Sequence, residues 1–217
     1  GPETVLGVDY GGDGLEAVLA ALQDLALRPE TARHVAGKLA VHFVSDGPDP
    51  ALVAAIEAAW TASGGDLAAV AAELVGHDAA WGPEAAKARQ PFDFVAAALR
   101  ALGLSGDDIM AMAEGPFLRL ILDPMAEMGQ PWQGAGGPDG WPEAAGDWIT
   151  PQGMAARITW AMEVPGRLVT PLPEAAEVAA RALGGRLSGR LEWAVGAAES
   201  RREALGLVLA APEFNRR

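Results

Sequence analysis

Three tryptophans and three carboxylates share one short stretch of the chain, between Gly129 and Trp148. Rings beside carboxylates and amides are the groups with which proteins stack on sugars, and apolar rings also bind partner proteins. The side chains that would line such a site are Gln130, Trp132, Asp139, Trp141, Glu143, Asp147 and Trp148. A structural interpretation also exists, because large apolar rings pin a Gly- and Pro-rich loop onto helices. We favour anchoring over a partner contact, and a partner contact over a glycan site.

The carboxylates of this stretch raise the question of a metal site. Asp139, Glu143 and Asp147 recur at four-residue spacing, and calcium prefers oxygen ligands. The D-x-D-x-D-G run of a calcium loop is absent, so we predict no metal site. Cysteine is also absent, which excludes thiolate ligands and disulfides. The run 134–136 begins like a dinucleotide fingerprint, but its third glycine position is Asp139, and we expect no cofactor.

Weaker catalytic candidates are His42 and Asp46, which lie about one helical turn apart. A histidine oriented by a carboxylate can act as a general base. The simpler interpretation is a histidine at the border of an apolar stripe, satisfied by a backbone carbonyl or by Asp46. His34 lies on the polar face of the same predicted helix, too far along it to share a metal with His42. No other catalytic signature is present, and the sequence leaves enzymatic activity undecided.

The elements that position these side chains are predicted to be helices. Apolar residues recur at helical spacing along most of the chain, as in the stripe Phe92, Val95, Ala96, Leu99 and Leu102. Prolines or capping side chains indicate helix starts at Pro29, Asp66, Pro91, Ser105 and Thr150. We predict an all-α, irregular multi-helix bundle of about nine to eleven short helices. One long Gly-, Pro- and Trp-rich loop at 129–149 interrupts this bundle, which forms a single helical unit over 1–217.

The composition narrows the classes of partner. The chain has 217 residues and a net charge of −13, which opposes approach to the phosphates of nucleic acids. No apolar run is long enough to span a bilayer, so we expect a soluble chain without membrane insertion. Residues 181–217 differ, because they hold seven Arg and four Glu, a net charge of +3. We interpret this basic tail as a solvated helix face, with docking to the acidic body or to an acidic partner as the alternative.

Six stretches in this order resemble a large bacterial family, the domain of unknown function 1800. They are GPETVLG at 1–7, RPETARHVAGKLAVHFVSDGPDPALV at 28–53, GGDLAAVAAELV at 64–75, RQPFDFVAAALRALG at 89–103, MGQPWQGAGGPDGWPEAAGDWITP at 128–151 and LAAPEFNRR at 209–217. The resemblance implies that this chain is the C-terminal half of a longer protein, whose N-terminal half would be its first partner. It also implies an exported protein with a sulfatase-like partner, although the compartment stays open. It implies no established activity.

Two functions are therefore predicted from the sequence. The first is an interaction or scaffolding module that completes a larger helical domain and presents the Trp-rich loop. The alternative is part of a hydrolase or carbohydrate-processing enzyme that uses the rings and carboxylates of residues 129–148.

Overall fold

The computed structural model describes residues 3–12, 14–82 and 85–217, which fall into two compact units, Gly1–Glu84 and Ala85–Arg217. The structure is mostly helical, which confirms the predicted fold class. Among the described residues, the number of helices lies slightly above the predicted nine to eleven, because several helices are single turns of four or five residues. The single unit expected over 1–217 stays a prediction, and each compact unit is described by itself.

The first unit begins with a β-hairpin that the sequence did not predict. Its elements are β1 Glu3–Val5, β2 Val8–Tyr10, α1 Leu15–Ala26, α2 Pro29–Phe43, α3 Pro50–Ser63, α4 Leu67–Gly76 and a 3-10 helix Asp78–Trp81. The strands pair antiparallel across a two-residue turn in which Leu6 has φ 50° and Gly7 has φ 81°. Such turns suit the twist of a hairpin but need positive φ at both positions. Leucine is uncommon at positive φ, so of the two turn residues only Gly7 indicates this turn in the sequence.

The core of the first unit lies between α2, α3 and α4. Small residues of α2 let the helices approach closely, and larger side chains of α3 and α4 fill the space. The buried residues are Ala32, Ala36, Ala40, Leu52, Ile56, Trp60, Val70 and Leu74. The predicted start of α4 is confirmed, because the Asp66 carboxylate accepts the Ala68 N–H at 2.9 Å. In contrast, α1 buries none of its residues.

The second unit is a larger set of helices around one core. Its helices are α5 Pro91–Ala101, α6 Gly106–Met110, α7 Glu114–Phe117, a π-helix Leu118–Leu122, α8 Asp123–Glu127, α9 Ala145–Trp148, α10 Pro151–Glu163, α11 Pro165–Leu168, α12 Ala175–Leu183, a 3-10 helix Gly184–Arg186, α13 Gly189–Ala197 and α14 Arg201–Ala210. The loop predicted at 129–149 is largely irregular, but its end folds into the single turn α9. The capping box predicted at Ser105 and Asp108 is present, with both of its hydrogen bonds formed.

Aromatic rings fill the centre of the second core. Phe94 packs edge-on against Trp160 and against Phe214, with ring centroids 5.6 and 5.8 Å apart. Edge-to-face packing is one of the two arrangements that aromatic pairs prefer. The three rings come from α5, α10 and the segment that follows α14, so they join distant parts of the chain.

A continuous helical run over 114–127 contains the π-helix and a proline. Pro124 has no N–H, so it cannot donate to the carbonyl oxygen of Leu120 four residues earlier. The indole Nε1–H of Trp160 donates to that oxygen instead, at 2.8 Å. A side chain of α10 therefore donates to a carbonyl that has lost its usual α-helical donor.

Candidate functional site

The amide of Gln130 has a structural partner at the N-terminus of α5. Its Oε1 accepts the backbone N–H of Phe92 at 2.7 Å, and its Nε2 donates to Oε1 of Gln90 at 2.9 Å. The first N–H groups of a helix have no partner within the helix, and Gln90 provides no side-chain cap. Gln130 thus caps α5 from a distant part of the chain, and it is only 5% exposed. The Gln130 amide, a candidate for ligand binding, thus forms hydrogen bonds within the protein.

The carboxylate of Glu143 also has a structural partner. Lys87 is 1% exposed, and its Nζ lies 3.3 Å from Oε2 of Glu143. The same Nζ donates to the backbone carbonyl of Glu143 at 2.6 Å. A buried ammonium needs a counter-charge, and the loop supplies it. The pair fastens the loop to the segment that precedes α5.

Two of the three rings in the loop act as anchors. Trp148 is 2% exposed, and its Nε1–H donates to the carbonyl of Pro142 at 2.9 Å. The half-buried Trp141 packs edge-on against it, with ring centroids 6.0 Å apart. The carbonyls of Met128 and Trp148 both approach Gly153, where a methyl group would lie 3.3 Å from each oxygen. Both ends of the loop therefore meet on α10.

The remaining candidates of the loop are exposed. Asp139 and Asp147 face solvent, and Trp132 is 55% exposed. Within the described ranges 3–12, 14–82 and 85–217, no three His, Cys, Asp or Glu side chains form a group that could hold a metal ion. The structure thus divides the seven loop candidates into buried or half-buried anchors and three exposed side chains.

Trp132 stands beside an apolar groove of about 430 Å³. The groove is lined by Phe92, Val95, Ala96, Leu99, Ile109, Phe117, Ile121, Leu122, Met125 and Trp132. The rings of Trp132 and Phe92 lie 5.9 Å apart at a tilt of 35°, and Phe92 is 47% exposed. The π-helix Leu118–Leu122 forms part of one wall, and π-helices are frequent at functional sites.

The groove lies within an acidic part of the chain. The helical segments that form it, α5 to α8, carry Asp93, Asp107, Asp108, Glu114, Asp123 and Glu127 against Arg100 and Arg119. Their side chains therefore give these segments a net negative charge, which matches the negative charge of the whole chain.

The weaker catalytic candidates lie in the first unit. His42 belongs to the last turn of α2, is half-buried, and packs edge-on against Phe43 with ring centroids 4.7 Å apart. Asp46 is exposed beyond the end of the helix, and both His42 and Asp46 engage other groups of the protein. The general-base role of His42 stays a prediction.

Sequence reasoning missed two buried cations, Lys87 and Arg157. Arg157 is fully buried in α10 and donates to Oδ1 of Asn215 at 3.0 Å and to the carbonyl of Arg89 at 2.7 Å. Burial lowers the pKa of its guanidinium to about 10. A signal for Arg157 was present, since it shares the buried face of α10 with Gly153 and Trp160. Lys87 carries no comparable signal, because its burial depends on Glu143, which is far away in sequence.

The arrangement defines a class: a mostly helical protein whose Gly- and Pro-rich loop is tied down at its base and exposes one ring beside an apolar groove. The model of a protein family of unknown function, DUF1800, matches residues 1–216, and the chain belongs to that family. Neither the curated proteins nor the solved structures give a match to this chain. In the part of the chain that the structure describes, no helix is long and apolar enough to cross a membrane.

Proposed function

We propose that this chain is a protein-interaction module whose apolar groove binds a basic amphipathic segment of a partner protein. The observation that carries the proposal is the exposed ring pair of Trp132 and Phe92 at the groove. Tryptophan is enriched among the residues that dominate binding energy at protein interfaces. The remaining loop candidates with large side chains are held inside the fold, so the loop presents Trp132 on a fixed base.

The groove chemistry supports a segment with a continuous apolar face. Its lining is aliphatic or aromatic throughout, with Met125 at its base. Methionine adapts to irregular apolar side chains, and helices bind such grooves through residues spaced by three and four positions. A sugar would find few hydrogen-bonding side chains in this lining.

Charge supports a basic partner and argues against a second copy of this chain. The obvious helix that a second copy would offer is α1, with the exposed apolar residues Leu15, Val18, Leu19 and Leu22. That helix also carries Glu16 and Asp24, and the helices around the groove are themselves acidic. Like charges at an interface disfavour association. A segment with Lys or Arg beside its apolar face fits better.

Two partners implied by the family resemblance belong to this proposal. They are the N-terminal half of a longer protein and a sulfatase-like protein, and the groove would require either to present a basic apolar segment. The hydrolase or carbohydrate-processing alternative also stays a prediction. It would have to use Asp139 and Asp147, because Glu143 pairs with Lys87.

The test uses a fluorescein-labelled helical peptide built only from Leu and Lys, with leucine at i, i+3, i+4 and i+7. Fluorescence anisotropy measures its binding to the wild-type chain and to the double variant Trp132→Ala with Phe92→Ala. We expect the double variant to bind about tenfold more weakly or worse, because both rings leave the groove.

Three controls separate the groove from general attraction to an acidic protein. The variant Trp193→Ala removes a ring that is 74% exposed in the same unit but does not line the groove, and it should bind like the wild type. A peptide of the same composition without the helical spacing, and a Leu and Glu peptide with that spacing, should both bind more weakly. Equal binding by the Trp132 and Phe92 double variant and by the Trp193 variant, or preference for the Leu and Glu peptide, would overturn the proposal.

A further inference from the structure

A second cavity in the second unit is lined by arginines. It has a volume of about 510 Å³ and is lined by Arg89, Asp93, Ala96, Ala97, Arg100, Ala101, Arg181, Ala182, Phe214 and Arg217. Four arginines thus face one carboxylate, in a chain whose net charge is −13. We call this cavity the arginine pocket.

The arginines converge because four separate segments meet at the arginine pocket. Arg100 lies in the last turn of α5 and Arg181 lies in α12, whereas Arg89 precedes α5 and Arg217 follows α14. Backbone pairing fixes the last two segments against each other. The N–H of Arg217 donates to the carbonyl of Lys87 at 2.8 Å, and the N–H of Lys87 donates back at 3.1 Å. The basic tail noted in the sequence therefore supplies part of a pocket.

Arg89 is held in place by groups that do not neutralise it. Its Nε donates to the carbonyl of Arg216 at 3.3 Å, and its guanidinium lies 4.8 Å from the ring centroid of Phe214. Burial lowers the pKa of this guanidinium, the positive charges of Arg186 and Arg217 lower it further, and the carboxylate of Asp93 partly opposes them. Like charges are therefore crowded at this point of the fold.

The charges that line the pocket do not balance. Asp93 forms an ion pair with Arg217, with Oδ2 and Nη1 3.2 Å apart. The Nε of Arg217 is buried and has no hydrogen-bond partner. Arg100 and Arg181 form no ion pair or hydrogen bond with any residue that the structure describes. Three of the four guanidinium groups thus form no ion pair with any residue that the structure describes, and a bound anion would relieve the repulsion among the four.

We propose that the arginine pocket binds a small organic molecule through a tetrahedral oxyanion group, a phosphate or sulfate ester. The planar guanidinium presents paired N–H donors that match the oxygens of such groups. Four alanines line the pocket beside the arginines, and these small side chains leave space open. The volume exceeds that of the oxyanion alone, so the organic part of the ligand would lie over the alanines.

Isothermal titration calorimetry at constant ionic strength tests the proposal with pyrophosphate, sulfate and citrate as probes. We expect saturable binding of pyrophosphate or sulfate, and the tighter of the two identifies phosphate or sulfate as the preferred group. The double variant Arg100→Gln with Arg181→Gln should weaken that binding about tenfold or more, because two charge-assisted hydrogen-bond donors are lost. Both side chains are exposed and without partners among the described residues, so the variant should fold.

A matched control changes the charge equally elsewhere in the same unit. Arg119→Gln with Arg190→Gln replaces two exposed arginines that do not line the pocket, and it should leave the affinity within about twofold of wild type. Absence of binding to the wild-type chain, equal losses in the two double variants, or tighter binding of citrate would each overturn the proposal.

A variant that binds the oxyanion more tightly than the wild type tests the pocket without the ambiguity of misfolding, which would only weaken binding. The variant Asp93→Asn removes the carboxylate that pairs with Arg217 and frees that guanidinium for the ligand. We expect pyrophosphate or sulfate to bind about threefold more tightly or better than to wild type. Unchanged or weaker binding in this variant would contradict the placement of Arg217 in the site. Both pocket variants leave Trp132 and Phe92 in place, so binding of the Leu and Lys peptide and binding of the oxyanion are measured separately in each variant.

Discussion

Replacement of Trp148 by alanine should mainly reduce the stability of the protein, whereas replacement of Trp132 should mainly reduce peptide binding. Trp148 is almost fully buried, and replacing a buried Trp by Ala costs about 3–5 kcal/mol of unfolding free energy. The Gly- and Pro-rich loop can partly collapse into the space, so we expect Trp148→Ala to cost about 3 kcal/mol. Trp132 is more than half exposed, and Trp132→Ala should cost about 1 kcal/mol or less. Of these two variants, only Trp132→Ala removes a side chain that lines the groove, so only this variant should directly weaken binding of the Leu and Lys peptide.

Urea unfolding followed by far-ultraviolet circular dichroism measures the two costs. This readout follows the helices, so it does not lose signal when a tryptophan is removed. The chain has two compact units, and each resolved transition is fitted separately. Trp193→Ala, which removes another exposed ring of the second unit, gives the baseline for a surface tryptophan.

The interpretation of Trp148 as an anchor can be contradicted by these unfolding measurements in two ways. It fails if Trp148→Ala costs less than about 1 kcal/mol, because a ring buried in a packed site cannot be removed so cheaply. It also fails if Trp132→Ala costs as much as Trp148→Ala, since the two rings would then share one structural role. If Trp132→Ala binds the Leu and Lys peptide as tightly as the wild type does, the groove is not the binding site of that peptide.

Two further predictions concern single carboxylates. Glu143→Gln should cost about 2 kcal/mol in urea unfolding, below the 3–5 kcal/mol of a fully buried pair, because Lys87 loses its counter-charge while the Glu143 side chain keeps some exposure. Asp147→Asn makes the same change on an exposed carboxylate of the loop and should cost about 0.5 kcal/mol or less; equal costs would contradict the pair. Hydrogen bonds from the Ser105 hydroxyl and backbone N–H lower the pKa of Asp108, so its contribution is present above the ordinary carboxyl pKa and lost as pH falls through the lowered value. The difference in thermal midpoint between wild type and Asp108→Asn should therefore narrow below about pH 4, and a widening difference would reverse this sign.

Local chemistry explains which parts of the fold were predictable. The caps at Asp66 and at Ser105 with Asp108 join groups two or three residues apart, so the sequence contains all of the information that they need. The stripe that begins at Phe92 was also predicted, because helical period identifies an apolar face. Period alone does not show whether a neighbouring helix covers that face. In the structure Leu102 is buried, whereas Phe92 is half exposed beside the groove.

Long-range pairs explain what the sequence missed. Gln130 caps a helix that begins 39 residues earlier, at Pro91, and no local rule joins an amide to a helix at that distance. Arg100 and Arg181 meet at the arginine pocket only because α5 packs against α12. Such groups are recognisable as ligands or donors by type, but their partners are set by tertiary packing.

Trp132 can stay exposed because other residues of the loop are anchored to the fold. An exposed ring on a free Gly-rich loop would fold back onto the nearest apolar surface, and ordering the loop on binding would reduce affinity. Here Gln130 fixes the chain two residues before Trp132, and Glu143 and Trp148 fix the chain after it. The loop is therefore ordered by the fold itself, so the proposed binding would not have to supply the entropy cost of positioning Trp132. If the groove binds as proposed, a buried amide, a buried ion pair and a buried ring contribute to that binding without touching the ligand.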